Sequence, residues 1–324
     1  MNGMRIVFFG TPDFAVASLT ALVENHFEVV GVVTAPDKPA GRGHKLQPSA
    51  VKSYALEHNL NILQPTNLKS KDFISELRSL NADIQIVVAF RMLPEVVWNM
   101  PQLGTYNVHG SLLPDYRGAA PINWAIINGE KTTGVTFFKL KHEIDTGSIL
   151  NSRSTPIDEN ETAGDVYNRL MQEGASLLVE SLKMITSGSY TLQEQDLSSE
   201  SKHAPKIFKD DCEIKWNQNV QNVHNFIRGM SPFPCGFTKV RVEDREEVWK
   251  ISRSKKTDRP STSKNGFLRE GNQLFVECND FWLEILEIQT PGKRRLKATE
   301  FLNGFKGQIE GVKIIKKPSE KGLE

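Results

Sequence analysis

The fold class is indicated most clearly by the run Asp83-Ile84-Gln85-Ile86-Val87-Val88-Ala89-Phe90. A nearly continuous apolar run of this length is typical of a strand buried inside a parallel sheet. Moving outward from it, similar short strands are predicted at residues 5–9, 27–34, 105–109 and 134–140, and helices at 48–57, 71–80, 121–127 and 163–185. Repeated alternation of strand and helix predicts an α/β fold with a doubly wound, mostly parallel sheet.

The chain changes character after this α/β region. From about residue 187 to residue 206 it is polar and lacks periodicity, which is the composition of a linker. Short β-like runs separated by turn residues follow at 237–242, 248–252, 273–278, 282–289 and 311–315. This pattern predicts a small OB-like β-barrel, a fold that often binds oligonucleotides. We therefore expect an α/β domain over residues 1–188, a linker over 189–206 and a β-barrel domain over 207–316.

Composition excludes several classes of protein. Of the 324 residues, 39% are hydrophobic and 24% charged, which is typical of a globular chain with a sizeable core. The three cysteines are far apart in sequence, which disfavours a disulfide scaffold or a cysteine-based zinc site and favours a reducing compartment. No apolar run approaches the ~18 residues of a membrane helix, and the N-terminus leads at once into a strand, so we expect a cytosolic protein.

The first strand-to-helix turn argues against an enzyme that binds a dinucleotide or a P-loop nucleotide. It reads Gly10-Thr11-Pro12, with one glycine where a dinucleotide fold carries three, and no P-loop motif occurs elsewhere. A bound dinucleotide or P-loop nucleotide is therefore not expected.

Charge is divided unevenly along the chain. Residues 1–204 carry 17 Lys and Arg against 22 Asp and Glu, whereas residues 205–324 carry 23 against 17. A basic module on an acidic body is typical of nucleic-acid binding, although an ordinary solvated surface is the alternative. The tightest basic cluster in the second half is Lys293-Arg294-Arg295-Lys297, for which a solvated turn is the alternative.

A second basic stretch lies in the loop spanning residues 36–48. It contains Lys38, Arg42, His44 and Lys45, together with two glycines and three prolines, which predict the absence of regular structure. A flexible basic loop could become ordered on the acceptor end of an RNA. A mobile surface loop with solvated charges is the alternative.

Candidate catalytic residues follow two of the predicted strands. Asn107 and His109 are two positions apart at the end of a strand, so their side chains face the same side. An imidazole can take or give a proton at neutral pH, and an amide can donate to a developing oxyanion. Asp145 precedes Thr146-Gly147 after the next apolar strand. The structural alternatives are a histidine and a capping asparagine at a strand end, and a plain β-turn at the aspartate.

These segments together resemble the methionyl-tRNA formyltransferases. The resemblance rests on residues 10–15, the loop 36–48, the long motif Asn107-Val108-His109-Gly110-Ser111-Leu112-Leu113-Pro114, residues 116–122 and 145–147, and more weakly residues 227–234. It implies transfer of the formyl group of 10-formyltetrahydrofolate to the α-amine of methionine on initiator tRNA, in support of translation initiation. It also implies a cytoplasmic monomer that needs no metal.

The resemblance assigns roles residue by residue. The implied catalytic residues are Asn107, His109 and Asp145; the implied folate-binding residues are Ser111, Leu112, Leu113, Pro114, Val88 and Phe90; and Arg42, Lys38, Lys45, Lys293, Arg294 and Arg295 are expected at the tRNA. The implied domains are a catalytic domain, a linker and a tRNA-binding barrel with the boundaries given above. Two residues depart from the family pattern, because Arg91 and Glu143 stand where relatives carry glycine.

Two other functions are compatible with parts of the pattern. A folate-dependent formyltransferase acting on a sugar-nucleotide amine would share the Asn-x-His motif but lack the basic loop. A catalytically idle tRNA-binding protein would need neither Asn107, His109 nor Asp145.

Overall fold

The structure is a computed structural model that describes residues 3–40, 45–198, 201–262 and 266–315. The chain divides into two compact units. The first unit comprises Met1–Pro121, Thr132–Pro156 and Tyr167–Ala204, and the second comprises Ile122–Lys131, Ile157–Val166 and Pro205–Glu324.

The first unit is built on a mixed, mostly parallel sheet. The strands of this unit, including those outside the main sheet, are β1 (Arg5–Gly10), β2 (Glu28–Val33), β3 (Lys38–Ala40), β4 (Lys45–Gln47), β5 (Ile62–Leu63), β6 (Ile84–Val88), β7 (Thr105–His109), β8 (Arg117–Gly118), β9 (Thr132–Lys139), β10 (Ile149–Pro156) and β11 (His203–Ala204). The main sheet has the order β10-β9-β7-β6-β1-β2-β5. Strands β7, β6, β1, β2 and β5 run parallel, and β9 and β10 are antiparallel to their neighbours. The predicted α/β fold is confirmed.

Helices connect these strands, and four of them lie close to the predicted positions. They are α1 (Asp13–Glu24), α2 (Ala50–Glu57), α3 (Lys71–Ser79), α4 (Glu95–Trp98), α5 (Pro121–Ile127) and α6 (Ala163–Ser187). Strand β6, at the centre of the sheet, is buried at every residue, as its continuous apolar sequence predicts. On one face of the sheet the core includes Phe9, Phe73 and Leu77.

The basic loop 36–48 contains regular structure, so the prediction that it has none was wrong. Strands β3 and β4 pair antiparallel, with Lys38 opposite Gln47 and Ala40 opposite Lys45. A proline has no N–H to donate to a neighbouring strand. In a two-stranded ribbon each strand has one free edge, and a proline whose N lies on that edge removes no hydrogen bond between the strands. Arg42 and His44, which fall between these strands in the sequence, lie outside the described residues.

Parts of the polar segment 187–206 make backbone hydrogen bonds with the rest of the first unit, to which residues 187–204 belong. Gln193 and Ile149 exchange two of them, at 2.7 and 2.8 Å. Strand β11 pairs in parallel with β8, with His203 opposite Arg117. Ladders of one or two residues leave no periodicity in a sequence, which is why linker composition gave no indication of them.

The described residues of the second unit form one antiparallel sheet. Its strands are β12 (Gly236–Val242), β13 (Arg245–Pro260), β14 (Phe267–Glu270), β15 (Gln273–Glu277), β16 (Phe281–Gln289), β17 (Leu296–Lys297) and β18 (Lys313–Ile314). The order is β14-β15-β16-β13-β12-β18, with β17 on β16. The sheet curls into a half-barrel, which confirms the predicted barrel-like module.

Helices complete this unit in places where none was predicted. They are α7 (Val220–Met230) and α8 (Ala298–Gly304), with short 3₁₀ turns at Lys209–Cys212 and Ile309–Gly311. The ring of Trp249, on β13, packs against the rings of Phe267, Phe301 and Phe305. The apolar residues of α7 at positions 220, 223 and 227 join the same core.

Two findings bear on the classes excluded by composition. The three cysteines are free and buried. Among the described residues, no helix has the length and apolar character to cross a bilayer.

Candidate active site

The candidate site lies at the carboxyl end of β7. This strand pairs with β6 and β9, with Asn107 opposite both Val87 and Phe138, and His109 opposite Thr136. Alternate residues of a strand share a face, so Asn107 and His109 project to the same side. Asn107 is half-buried, and none of the described residues hydrogen-bonds to its side chain. Its amide is therefore available to a bound molecule.

His109 is held in one orientation by contacts on both sides of its ring. Its side chain is 7% exposed. Its Nε2 lies 2.9 Å from the carbonyl oxygen of Tyr116. A carbonyl oxygen only accepts, so Nε2 carries a hydrogen and donates it. Nδ1 faces Asp145, 3.8 Å from Oδ2. The neutral ring therefore presents its basic lone pair at Nδ1, on the side of the carboxylate.

Asp145 has an unusual backbone conformation for a residue with a side chain. Its φ is 53°, in the left-handed region. Its Oδ2 accepts a hydrogen bond of 3.0 Å from the backbone N–H of Gly118. Two residues on, Gly147 leaves no room for a side chain, because a Cβ there would lie 1.7 Å from the carbonyl oxygen of Lys139. The Asp145 carboxylate is thus aimed by its own loop and by the loop after β7.

The loop after β7 supplies the backbone carbonyl that contacts His109 and the backbone N–H that contacts Asp145. Tyr116 has φ 60° and Gly118 has φ 125°. A Cβ on Gly118 would lie 2.4 Å from the carbonyl oxygen of Ala204, so this position requires glycine. The N–H of Tyr116 donates to the carbonyl of Lys202 at 2.6 Å. Sequence reasoning missed the roles of Tyr116 and Gly118, since a backbone carbonyl or N–H has no residue-type signature.

A third contact to the Asp145 loop comes from the polar segment. The side-chain amide of Gln195 donates to the carbonyl oxygens of Asp145 and Gly147, at 2.9 and 2.8 Å. Sequence reasoning missed this residue as well, because its contact lies 50 positions away in the chain.

The predicted folate residues lie around the ends of β6 and β7. Ser111 is fully buried, and its hydroxyl donates to the carbonyl of Asp115 at 2.7 Å. Thr136 ties the same loop to β9, because its Oγ1 donates to the carbonyl of Ser111 at 2.7 Å and accepts from the N–H of Leu113 at 3.2 Å. Of the predicted set, the buried members are Ser111, Val88 and Leu113, and the partly exposed ones are Phe90, Leu112 and Pro114.

Arg91 and Glu143, the two residues that depart from the family pattern, are both exposed. The guanidinium of Arg91 donates to the carbonyls of Thr66, at 3.0 Å, and of Pro65, and lies 5.7 Å from the centre of the Phe90 ring. The carbonyl of Glu143 accepts from the Thr146 hydroxyl at 3.1 Å. Arg91 is thus bonded to the chain between β5 and α3, and the interaction of Glu143 within its turn uses only its backbone.

The predicted basic residues fall on two surfaces. Lys38 is exposed on β3, Lys45 begins β4, and Arg42 lies outside the described residues. In the second unit Lys293, Arg294 and Arg295 are all exposed. Arg294 makes a 4.0 Å ion pair with Glu300. Within the described residues, no group of three or more His, Cys, Asp or Glu side chains is arranged to hold a metal ion.

Comparison with known proteins first defines the class. The family described as formyl transferase matches residues 4–182, and the formyl transferase C-terminal domain matches residues 206–306. The fold agrees with solved formyltransferases. An N-formyltransferase from Helicobacter canadensis, in complex with folinic acid and dTDP-3-aminofucose, has a TM-score of 0.63 at 22% identity, covering 89% of this chain and 99% of its own. The chain is a formyltransferase.

Comparison with more similar sequences narrows this class. A methionyl-tRNA formyltransferase from Bacteroides fragilis is 52% identical over 308 residues, covering 93% of this chain and 95% of its own. One from Flavobacterium johnsoniae is 46% identical over 306 residues, covering 94% and 97%. The chain belongs to the methionyl-tRNA formyltransferase family.

Proposed function

We propose that this enzyme transfers the formyl group of 10-formyltetrahydrofolate to the α-amino group of methionine on initiator methionyl-tRNA, in support of translation initiation in the cytoplasm. The observation that carries the proposal is the arrangement of three side chains. The amide of Asn107, which has no hydrogen-bond partner among the described residues, lies two positions along the strand from a histidine whose Nδ1 faces the Asp145 carboxylate at 3.8 Å. Relatives with about half of their residues in common are named for this reaction.

The chemistry requires one group to stabilise negative charge and another to move a proton. When the amine attacks the formyl carbon, the carbonyl oxygen becomes an oxyanion, the amine loses a proton, and the folate N10 must leave with one. The Asn107 amide donates to the oxyanion, a contribution typically worth about 10²–10³ in rate. Protonated His109 is the second donor to the oxyanion and the proton source for N10, and it acts through the hydrogen on Nδ1 because Nε2 already donates to the Tyr116 carbonyl.

Asp145 supports the charged form of the histidine. Its carboxylate stabilises a positive imidazolium at His109 and helps to relay the proton released by the amine. Both groups are largely buried, with side chains 7% and 13% exposed, so their attraction is screened less than at a surface. The proton that leaves the amine and the proton that reaches N10 balance, so the reaction needs no external acid or base.

The two substrates are assigned to separate sets of residues. The folate would lie against Ser111, Leu112, Leu113 and Pro114, chiefly through backbone and apolar contacts, with Val88 and Phe90 lining the pterin pocket. The tRNA would contact Lys38, Arg42 and Lys45 in the first unit, and Lys293, Arg294 and Arg295 in the second. Residues 1–188 then act as the catalytic domain, 189–206 as the linker and 207–316 as the tRNA-binding domain of a monomer.

A comparison of amine acceptors tests this proposal. Single-turnover formyl transfer from 10-formyltetrahydrofolate would be measured with charged initiator tRNA, charged elongator tRNA and a UDP-amino sugar. We expect fast transfer to the initiator alone. Transfer to the sugar nucleotide would refute the acceptor, and tRNA binding without transfer to any acceptor would refute the enzymatic function.

A further inference from the structure

The left-handed conformation of Asp145 requires support from outside its own loop. A residue with a side chain and a φ of 53° is strained, and such a conformation persists only where the surroundings hold it. The Gly118 N–H holds the side chain of Asp145 at Oδ2. Its backbone is held by a different residue, which comes from the polar segment after α6, within the first unit.

Gln195 holds the backbone of the loop at two residues, Asp145 and Gly147. Its Nε2 donates to the carbonyl oxygens of Asp145 and Gly147, at 2.9 and 2.8 Å. Only the NH₂ end of the amide can make this pair of bonds, because the oxygen end would face two acceptors. One side chain therefore fixes the orientation of the peptide group that precedes Thr146 and of the peptide group that follows Gly147.

Gln195 is itself fixed in register. Two residues before it, Gln193 exchanges backbone hydrogen bonds of 2.7 and 2.8 Å with Ile149, just beyond the Asp145 loop. The segment therefore runs beside this loop as a short antiparallel bridge. The side chain of Gln193 is exposed, whereas that of Gln195 is turned inward and partly buried.

We propose that Gln195 is a positioning residue for formyl transfer, holding the Asp145–Gly147 loop so that the Asp145 carboxylate faces His109 Nδ1. The inference rests on the proposed function of the His109–Asp145 pair. Gln195 does not touch the substrates and acts through Asp145. Without its two bonds the Asp145 peptide can rotate out of the left-handed region, which moves Oδ2 away from Nδ1 and from the Gly118 N–H.

Three variants separate this role from packing. Gln195→Ala removes the amide and the volume, and Gln195→Met keeps an unbranched chain of similar size but cannot donate. Gln193→Ala is the matched control, because it removes an equal side chain that is exposed in the same segment. We expect kcat to fall about 10–100-fold in both Gln195 variants, with the KM of each substrate within about twofold, since displacing a catalytic group by about 1 Å costs this much.

The activities of the three variants decide whether Gln195 positions the Asp145 loop or only fills space. Full activity in Gln195→Met with loss in Gln195→Ala would show a packing role and overturn the proposal. So would kcat values for both Gln195 variants within twofold of Gln193→Ala. Thermal unfolding of each variant identifies any loss of activity due to misfolding, and Gln195→Met, which preserves volume, then remains the deciding variant.

A double-mutant cycle with Asp145→Asn tests the route of the effect. If Gln195 acts through the carboxylate, adding Gln195→Ala to Asp145→Asn lowers kcat by less than about threefold. An undiminished loss in that background would overturn the proposal while leaving the proposed function intact. Wild-type kcat in Asp145→Asn alone would instead refute the proposed function, so the two failures are distinguishable.

Discussion

The substitution Gly147→Ala tests how closely the Asp145 loop is fitted to β9. A Cβ at this position would lie 1.7 Å from the carbonyl oxygen of Lys139 and 3.3 Å from the ring of Phe138. Carbon atoms make favourable contacts at about 3.5 Å, so the loop must withdraw by more than about 1.5 Å. Asp145 is two residues away, and its 3.0 Å bond to the Gly118 N–H cannot survive such a shift.

We expect Gly147→Ala to lower kcat strongly while the protein still folds. A displacement of about 1 Å at a reacting group costs roughly 10² in rate, so we expect kcat to fall at least 100-fold. Overpacking of this kind lowers the free energy of unfolding by about 1–3 kcal/mol. The affinity for tRNA should stay within about threefold, because the predicted tRNA contacts lie elsewhere in the chain.

The assay is single-turnover formyl transfer at saturating methionyl-tRNA, with urea unfolding and filter binding of tRNA on the same preparations. Gly3→Ala is the control, because its Cβ would meet Glu28 at an ordinary 3.6 Å. A folded Gly147→Ala enzyme with a rate within threefold of wild type would refute the reasoning.

Three further predictions concern other parts of the chain. Burial lowers the pKa of His224 to about 4 from its ordinary 6.5. Between these values the unfolded chain takes up a proton that the folded one does not, so His224 alone should lower the free energy of unfolding by about 2 kcal/mol from pH 7 to pH 4.5. Urea unfolding of His224→Gln should therefore show a smaller fall than wild type, and an equal fall would contradict the assignment. Arg91→Gly should leave the KM for the formyl donor within about threefold, because the guanidinium is engaged by the carbonyls of Pro65 and Thr66, and a tenfold change on titrating the donor would place Arg91 in the folate pocket. Arg294→Ala should reduce the salt dependence of tRNA binding by about one in log–log slope, and an unchanged slope would remove Arg294 from the tRNA surface.

Much of the fold could be predicted because its strands and helices carry strong periodicity. The run at β6 is buried at every position, and α5 begins and ends where the sequence predicts. Elements held by tertiary contacts were predicted less well. Strand β13 extends over 16 residues where five were predicted, and α7 was missed although its apolar residues recur at positions 220, 223 and 227.

The candidate site could be predicted only in part, because several of its contacts join residues that are far apart in the sequence. Asn107 and His109 are brought together by the two-residue period of a single strand, which a sequence displays directly. Placing Asp145 opposite His109 required knowledge of the pairing between β7 and β9, and in sequence reasoning it came from family resemblance. Backbone groups and Gln195 complete the site through contacts that span the fold, and no local pattern records them.

The most direct test of the account separates chemistry from tRNA binding at the His109–Asp145 pair. Single-turnover formyl transfer and tRNA affinity would be measured for wild type, His109→Ala and Asp145→Asn with charged initiator tRNA. We predict that transfer falls at least 100-fold in both variants while the Kd for tRNA stays within about threefold. Transfer at the wild-type rate, with tRNA affinity lost instead, would contradict the account.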